Sequence, residues 1–279
     1  MRVRTIYGVD FSGAAEAGRN AWVARCERVG RSAKLTLIGL DSLERLAGAS
    51  KRDVALSWLV KAIQDSRDAL WGIDFPFGLP IELGLGDWST QLEAVDSWTG
   101  TTNAFGLDCC ARAMKAVNKL HTRRDTDRET KTPFDCYHYR IVYQMFHGMR
   151  DVLLPLRDDE STCVLPFDVA TLDTAKRVVA ESCPGSTLKR LGLPHARYKQ
   201  AKPGRVAIKH KRVRELILAG LSASIEINPT QRRTMLNNPG GDALDAAIAA
   251  VGTWDAYRRM DTAAIAAHPR YTREGLVMC

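Results

Sequence analysis

Five carboxylic acids lie at the ends of apolar segments, where a fold can gather them into a site. Asp10, Asp74 and Glu181 each end a short apolar run, and Asp242 and Asp245 stand at the beginning of a longer one. Clustered carboxylates repel one another, so a fold that collects four or five of them needs a compensating cation. Oxygen ligands of this kind suit Mg²⁺ or Mn²⁺ better than zinc. The residue types therefore predict a site for divalent metal ions, provided that these acids converge.

Each acid on its own also suits an ordinary structural position. Asp10 and Asp74 are typical of turns at strand ends, and Asp242, which follows a glycine, suits the start of a helix. Asp245 is harder to explain in this way, because it lies among alanine, leucine and isoleucine. An unpaired carboxylate buried there would cost several kcal/mol.

The elements that must position these acids begin with three strands and a helix. Hydrophobic alternation and turn residues place the strands at 3–9, 21–29 and 34–40, with Gly30-Arg31-Ser32 as the second turn. Consecutive strands with short connections usually pair antiparallel. The helix is indicated by capping-box spacing at Ser50-Lys51-Arg52-Asp53. Its apolar stripe consists of Val54, Trp58, Leu59, Ala62 and Ile63.

Two later apolar runs predict buried strands that end in the acids. They lie at 69–74 and 177–181, each followed closely by proline, and both are expected to run parallel to the first strand. Helices are predicted at 205–221 and 242–257. In the former, the residues expected to face inward are Val206, His210, Val213 and Ile217. The carboxyl ends of parallel strands meet at one sheet edge, and helix residues three apart share a face, so the five acids are expected to converge.

The predicted fold class is α/β, with a mixed five-stranded sheet flanked by helices. Residues 81–175, after the fourth strand, are less regular, with helical pieces near 109–120 and 137–156, and predict a largely helical insertion. A length of 279 residues suits a single domain, 1–279, that carries this insertion.

Positive charge is concentrated in one part of the chain. The formal net charge is +8, and residues 186–214 contain ten Lys or Arg and no Asp or Glu. Such a stretch is typical of a polyanion partner, although a solvated helix face explains it equally well. The candidate nucleic-acid-binding residues are Lys189, Arg190, Lys199, Lys202, Arg205, Lys209, Lys211 and Arg212. A second basic stretch, 121–128, is mixed in sign and favours an exposed loop.

The N-terminal residues, the length of the apolar runs and the cysteines indicate the cellular compartment and the state of the thiols. The first seven residues include the charged Arg2 and Arg4 where a signal peptide needs an apolar stretch, and no run approaches the roughly 18 apolar residues of a membrane helix. We therefore expect a soluble, cytoplasmic protein without a membrane partner. The seven cysteines contain no C-x-x-C pair, which predicts reduced thiols rather than a disulfide framework or a zinc ribbon.

The motifs around the acids carry a resemblance to known proteins. Gly8-Val9-Asp10-Phe11-Ser12-Gly13 and Asp242-Ala243-Leu244-Asp245-Ala246 are similar to the first and last motifs of RuvC-type resolvases, which belong to the ribonuclease H superfamily. Together with Gly72-Ile73-Asp74-Phe75-Pro76-Phe77-Gly78-Leu79-Pro80 and Glu181-Ser182-Cys183-Pro184, they more closely resemble a bacterial and archaeal family of predicted nucleases, domain of unknown function 429. The resemblance implies a ribonuclease H-like fold and a metal-dependent nuclease, a hydrolase of phosphodiester bonds.

In the nuclease that the resemblance implies, the acids have separate roles. Asp10 would bridge two Mg²⁺ or Mn²⁺ ions, with Asp74 on one side and Asp242 and Asp245 on the other. Glu181 would hold a ligand water or act as general base. The basic residues would bind the phosphate backbone of DNA or RNA without sequence choice. Resolvase-like proteins often dimerise, so a homodimer is a further expectation.

Two other interpretations stay open at the level of sequence. One is a nucleic-acid-binding protein of the same fold that does no chemistry. The other is an ATP-dependent phosphotransferase of the actin-like superfamily, in which Asp10-Phe11-Ser12-Gly13-Ala14-Ala15 would be the phosphate-binding hairpin. Actin-like proteins contain the sheet twice, and residues 81–175 show no second meander.

Overall fold

A mixed sheet of seven strands forms the centre of the described part of the chain. The computed structural model describes residues 3–28, 30, 33–200 and 204–279. The sheet has the order β5-β6-β4-β1-β2-β3-β7. The strands are β1 (Thr5–Asp10), β2 (Trp22–Arg28), β3 (Leu35–Ser42), β4 (Ala69–Ile73), β5 (Thr162–Leu165), β6 (Arg177–Glu181) and β7 (Ile225–Glu226).

The pairing of the strands gives the sheet its two halves. β1, β2 and β3 form the predicted antiparallel meander, whereas β4 pairs parallel with β1 and with β6. All five predicted strands are therefore present, but the predicted count of five was wrong. The additional strands, β5 and β7, pair parallel at the two edges. They have four and two residues, which is too short for hydrophobic alternation to reveal. Arg31 and Ser32 of the predicted second turn lie outside the described residues.

Fourteen α-helices occur in the described residues, and most of them cover the two faces of the sheet. They are α1 (Ala17–Asn20), α2 (Leu43–Ala47), α3 (Arg52–Asp65), α4 (Trp88–Asp96), α5 (Thr102–Val117), α6 (Asp125–Glu129), α7 (Val142–Gly148), α8 (Leu154–Arg157), α9 (Pro184–Arg190), α10 (Ile208–Leu221), α11 (Pro229–Asn237), α12 (Asp242–Arg259), α13 (Thr262–Ala267) and α14 (Tyr271–Glu274). A π-helical turn, Met149–Leu153, joins α7 to α8.

Helix α12 lies against one face of the sheet at very short range. An added Cβ at Gly8 of β1 would lie 2.1 Å from the carbonyl oxygen of Ala246, and one at Gly72 of β4 would lie 2.0 Å from Oγ1 of Thr253. Two adjacent strands therefore need glycine where α12 crosses them. The helix is buried from Ala243 to Trp254. This close contact fixes the first turn of α12, which carries two of the acids, beside the ends of β1 and β4.

The segment predicted as an insertion, 81–175, divides into two parts. Its helices α4, α5, α7 and α8 contribute to the apolar core on the sheet face opposite α12, where α3 also packs. After Arg157 the segment turns into β5 and joins the sheet. The segment thus contains α4 to α8, and its last part belongs to the sheet.

Two helix predictions need correction in detail. Helix α3 begins after Lys51, which makes no side-chain capping bond, so the predicted capping box at Ser50 is absent. Its buried residues are Ala55, Leu56, Leu59, Val60 and Ile63, and Val54 is exposed instead. Helix α10 begins at Ile208, and its buried residues are Arg214, Ile217, Leu218 and Leu221. The core-facing stripe of α10 thus contains an arginine, which was not among the residues predicted to face inward.

None of the helices in the described ranges is both long enough and apolar enough to cross a lipid bilayer.

Candidate functional site

The parallel pairing of β1, β4 and β6 brings the acids to one edge of the sheet. Val9 is paired with Ile73 and Ile73 with Glu181, so Asp10 and Glu181 end strands on either side of β4, and Asp74 directly follows β4. The backbone N–H of Asp74 donates to the carbonyl of Val9 at 2.9 Å. A cavity of about 430 Å³ opens at this edge and is lined by Asp10, Asp74, Glu181 and Asp245. We call it the acidic cavity.

Helix α12 supplies the other two acids. Asp242 is its first residue and Asp245 lies one turn later, completely buried. Gly241, with a φ of 89°, is the residue before the helix, so Asp242 is not the N-cap that its position in the sequence suggested. Asp242 does not line the acidic cavity but is close enough to Asp10 to raise its pKa. Asp10, Asp74, Asp242 and Asp245 therefore form one electrostatically connected cluster, called the acid cluster below. Glu181 lies beside it and adds to the rise in the pKa of Asp74.

Burial and mutual repulsion raise the pKa values within the acid cluster. Burial raises the pKa of Asp10 well above its ordinary value, and its three acidic neighbours add to that effect. Burial, and then Asp245, raise the pKa of Asp74 to about 7 and that of Asp242 to about 6. Lys199 opposes the rise at all three groups. A cluster with such pKa values binds either protons or cations near neutral pH.

The chain itself supplies a cation to the acid cluster. Asp245 accepts a hydrogen bond from the Tyr198 hydroxyl at Oδ1, 2.8 Å away, and its Oδ2 forms an ion pair with the Lys199 ammonium. Burial lowers the pKa of Lys199, but Asp245 and Asp10 outweigh that effect and raise it well above its ordinary value. Half of the Lys199 side chain is exposed (51%), so its stem covers the cluster from the solvent side. Both oxygens of Asp245 thus have partners from one dipeptide.

The ion pair between Lys199 and Asp245 affects whether the acid cluster could hold the predicted metal ions. Among the residues that the structure describes, no group of three or more His, Cys, Asp or Glu side chains is arranged to hold a metal ion. The donor chemistry nevertheless fits Mg²⁺ or Mn²⁺, because carboxylate oxygens with raised pKa values gather at one cavity. The lysine ammonium now lies where Asp245 would contribute to such a site. A divalent ion would therefore have to replace Lys199 at Asp245.

Glu181 is held differently from the other acids. Arg124 donates to both of its oxygens, at 2.5 and 2.7 Å, and the backbone N–H of Phe77 donates to Oε2 at 2.9 Å. Arg124 is almost completely buried (1% exposed), whereas its stretch, 121–128, was predicted to be an exposed loop. Because each oxygen already accepts from an arginine, Glu181 is placed as the partner of a buried charge. Its predicted role as general base finds no support in this geometry.

The predicted basic residues divide between the cavity and other surfaces. Lys189 and Lys199 line the acidic cavity, together with Arg197, and the ammonium of Lys189 bonds to the carbonyl of Lys131. Arg190 instead pairs with Asp255, 2.8 Å away on the outer side of α12. The others lie on or just before α10 and do not line the cavity; they are Arg205, Lys209 and Arg212, which are exposed, and Lys211, which bonds to Asn237. Lys202 lies outside the described residues.

Three residues of the site were missed in the sequence, namely Tyr198, Arg124 and Arg214. The Arg214 guanidinium is completely buried and donates to the carbonyls of Tyr198, Met235, Leu236, Asn238 and Pro239. It thereby ties the segment with Lys199 to the turn that precedes Asp242. A signal existed, because Arg214 shares a helical stripe with Ile217, Leu218 and Leu221.

Comparisons of the chain with protein-family models, with curated proteins and with solved structures find no significant match.

Proposed function

We propose that the protein is a metal-dependent nuclease that hydrolyses phosphodiester bonds in nucleic acid. The observation that carries this proposal is the convergence of Asp10, Asp74 and Asp245 on one cavity with basic residues at its rim. Carboxylates from two parallel strands and a helix would hold divalent cations. Lys189 and Arg197, on the same cavity, would bind the phosphates on either side of the scissile bond.

The fold proposed for this nuclease is ribonuclease H-like. The order β3-β2-β1-β4-β6, with an antiparallel meander followed by two parallel strands, supports it. So does helix α12, which crosses the sheet and presents Asp242 and Asp245 at the strand ends. These features support the resemblance to RuvC-type resolvases and to the predicted-nuclease family.

The residues that would hold Mg²⁺ or Mn²⁺ are Asp10, Asp74, Asp242 and Asp245. Two such ions, when bound, lower the pKa of an attacking water and stabilise the charge on the leaving oxygen. The chain's own contribution is to keep these carboxylates together at the cavity and to accept the phosphate on its basic rim. Lys199, once released from Asp245, is free to join that rim, since half of its side chain is already exposed.

A cleavage assay tests the proposal. Labelled single-stranded, duplex, hybrid and branched substrates are incubated with Mg²⁺ or Mn²⁺. We expect Asp10→Asn and Asp74→Asn to lower the rate at least about 100-fold, because each removes a charged metal ligand. Asp65→Asn is the matched control, an exposed acid of α3 outside the cavity, and should leave the rate unchanged. Cleavage by Asp10→Asn at the wild-type rate would eliminate the proposal.

A specific observation favours a second candidate, a nucleic-acid-binding protein without catalysis. The Tyr198 hydroxyl and the Lys199 ammonium already compensate the charge of Asp245, as a purely structural cluster would require, although Oδ2 accepts no hydrogen bond beside its ion pair. Calorimetric titration with Mn²⁺ separates the two functions. A nuclease should take up Mn²⁺ in the wild type and lose that uptake in Asp10→Asn. A binding protein should show no uptake in either.

A further inference from the structure

A second cavity lies next to the acidic cavity and plays no part in the proposed chemistry. Its volume is about 570 Å³, and its lining includes Lys119, His121, Arg123, Arg128, Phe134 and His138. We call it the basic groove. Pro133 and Phe134 line both cavities, so they form a ridge between them. A flexible ligand that leaves the acidic cavity over this ridge enters the basic groove.

The charge of the basic groove is positive. Three of its side chains, Lys119, Arg123 and Arg128, are cations, and a single acid, Asp135, also lines it. Asp135 is buried and its Oδ2 lies 2.9 Å from Nδ1 of His121, so its carboxylate is largely covered from a ligand in the groove. Nη1 of Arg128 lies 2.7 Å from Oδ1 of Asp125, and this ion pair offsets part of the charge of Arg128. The groove thus attracts an anion with spaced negative charges, such as a sugar-phosphate backbone.

Arg123 not only contributes positive charge to the basic groove but also forms hydrogen bonds to the backbone at the ridge. Its Nη1 and Nη2 donate to the carbonyls of Thr132 and Pro133 at 3.0 and 3.2 Å. A cation is thereby fixed at the ridge, next to Phe134. A backbone that crosses from one cavity to the other passes this charge.

Aromatic rings extend from the ridge to the surface. Phe134 stacks on His138 with centroids 4.5 Å apart, and His138 contacts Tyr139 at 4.4 Å. Tyr139 is 71% exposed, which is unusual for a ring of that size. The guanidinium of Arg140 lies 5.6 Å from the centre of the Phe134 ring and 5.7 Å from that of Tyr139. Rings and cations that alternate in this way are typical of surfaces on which unpaired bases stack.

We propose that the basic groove binds a single strand of nucleic acid that continues from the acidic cavity across the Phe134 ridge. Lys119, Arg123 and Arg128 bind its phosphates, and Tyr139 stacks against a base. The strand is single because a ring face is reached only by a base that is not paired and stacked in a duplex. This inference rests on the proposed function for its direction, since the strand leads to the acid cluster, but its binding step needs no metal.

Fluorescence anisotropy without divalent metal tests the proposal. The full chain is titrated in EDTA into labelled single-stranded DNA, single-stranded RNA and the corresponding duplexes. We expect a single strand of either sugar to bind more tightly than its duplex. Tyr139→Leu should weaken single-strand binding about 5- to 30-fold, because one stacked base is lost, whereas Tyr139→Phe should retain it. Lys119→Gln should reduce the slope of log Kd against log salt by about 1.

The control is Lys61→Gln, which removes a similarly exposed cation of α3 outside both cavities and should leave binding unchanged. Tighter duplex binding, or wild-type affinity in both Tyr139→Leu and Lys119→Gln, would overturn the inference. The outcomes for the proposed nuclease activity and for the basic groove can be distinguished. Loss of cleavage in Asp10→Asn with unaltered binding in both Tyr139→Leu and Lys119→Gln keeps the nuclease and removes the groove. Weakened binding in Tyr139→Leu without cleavage under any metal condition would keep the groove and remove the nuclease.

Discussion

At the scale of single residues, a lysine acts as the counter-ion of the acid cluster. Lys199 pairs with Asp245 and partly offsets the rise in the pKa values of Asp10, Asp74 and Asp242. A divalent cation carries twice that charge and is coordinated by several oxygens at once. In the proposed nuclease, the lysine and a divalent ion would therefore compete for the same carboxylates.

We predict that Lys199→Met binds Mn²⁺ more tightly than the wild type. Removal of a positive charge in contact with a ligand carboxylate should lower the dissociation constant about 10-fold or more. Calorimetric titration at pH 7.5 measures it. Lys199→Arg, which keeps the charge, is the matched control and should bind Mn²⁺ no more tightly than the wild type. Equal affinities in all three proteins would mean that Lys199 and the metal do not share a site.

The raised carboxylate pKa values predict a dependence of stability on pH. Asp74 and Asp242 have pKa values of about 7 and about 6 in the folded protein, against an ordinary value of 3.8. Between these limits the folded state holds more protons than the unfolded state. The free energy of unfolding should therefore fall as pH rises from 5 in EDTA, by up to about 1.4 kcal/mol per pH unit for each group, until about pH 6 for Asp242 and about pH 7 for Asp74.

Urea unfolding of Asp74→Asn/Asp242→Asn provides the control for this pH dependence. Asparagine does not titrate, so the double variant should lose the part of the slope that Asp74 and Asp242 contribute and keep the part that comes from Asp10, whose pKa is also raised. Saturating Mn²⁺ should also flatten it in the wild type, because the metal takes the place of the protons. A slope that is the same in the double variant would assign the effect to other groups.

At the scale of elements, helix α12 depends on two strands that carry glycine. An added Cβ at Gly8 would meet backbone atoms of Ala246 and Ala250 at 2.1 and 2.3 Å, and backbone atoms cannot move aside as a flexible side chain does. We predict that Gly8→Ala lowers the free energy of unfolding by about 3 kcal/mol, measured in urea. It should also weaken Mn²⁺ binding, because α12 carries Asp245.

Gly39→Ala is the matched control for Gly8→Ala, since it lies in the same sheet. Its added Cβ would lie 3.5 Å from Cβ of Arg25, an ordinary contact distance. It should therefore change stability by less than about 1 kcal/mol. Similar losses in both variants would show that the cost comes from the strand backbone rather than from the approach of α12.

Elements with a strong period were the predictable part of this fold. The runs that became β1, β2, β3, β4 and β6 have alternating or continuous apolar residues and clear breakers, and all five were found. β7 has two residues and is held by pairing with β3, which no local pattern records. Helix α10 was predicted, but its buried Arg214 was not, because its partners are distant carbonyls. The local hydrophobic pattern thus predicts which helices and strands form. Contacts between distant parts of the chain determine which short strands join the sheet edges and which charged side chains are buried.

At the scale of the whole molecule, the same distinction applies to the site. Convergence of Asp10 and Asp74 follows from parallel strands and was predictable. The partners of Glu181 and Asp245 were not, because Arg124 and Lys199 lie 57 and 46 positions away in the chain. The single domain that spans 1–279 and the homodimer stay predictions, which size-exclusion chromatography with light scattering would address.

The buried guanidinium of Arg124 joins three distant parts of the chain, and its loss should affect the whole molecule. It donates to Asp127 of α6, to Glu181 of β6 and to the carbonyl of Glu274. We predict that Arg124→Met lowers the free energy of unfolding by about 3–5 kcal/mol, because two buried carboxylates lose their cation. Arg128→Met, an exposed arginine of α6 paired with Asp125, should cost less than about 1 kcal/mol. Both are measured by urea unfolding, with Arg124→Lys in place of Arg124→Met if the latter does not fold. Losses of similar size for the buried and the exposed arginine would mean that the 124–129 segment is not anchored to the sheet through this charge.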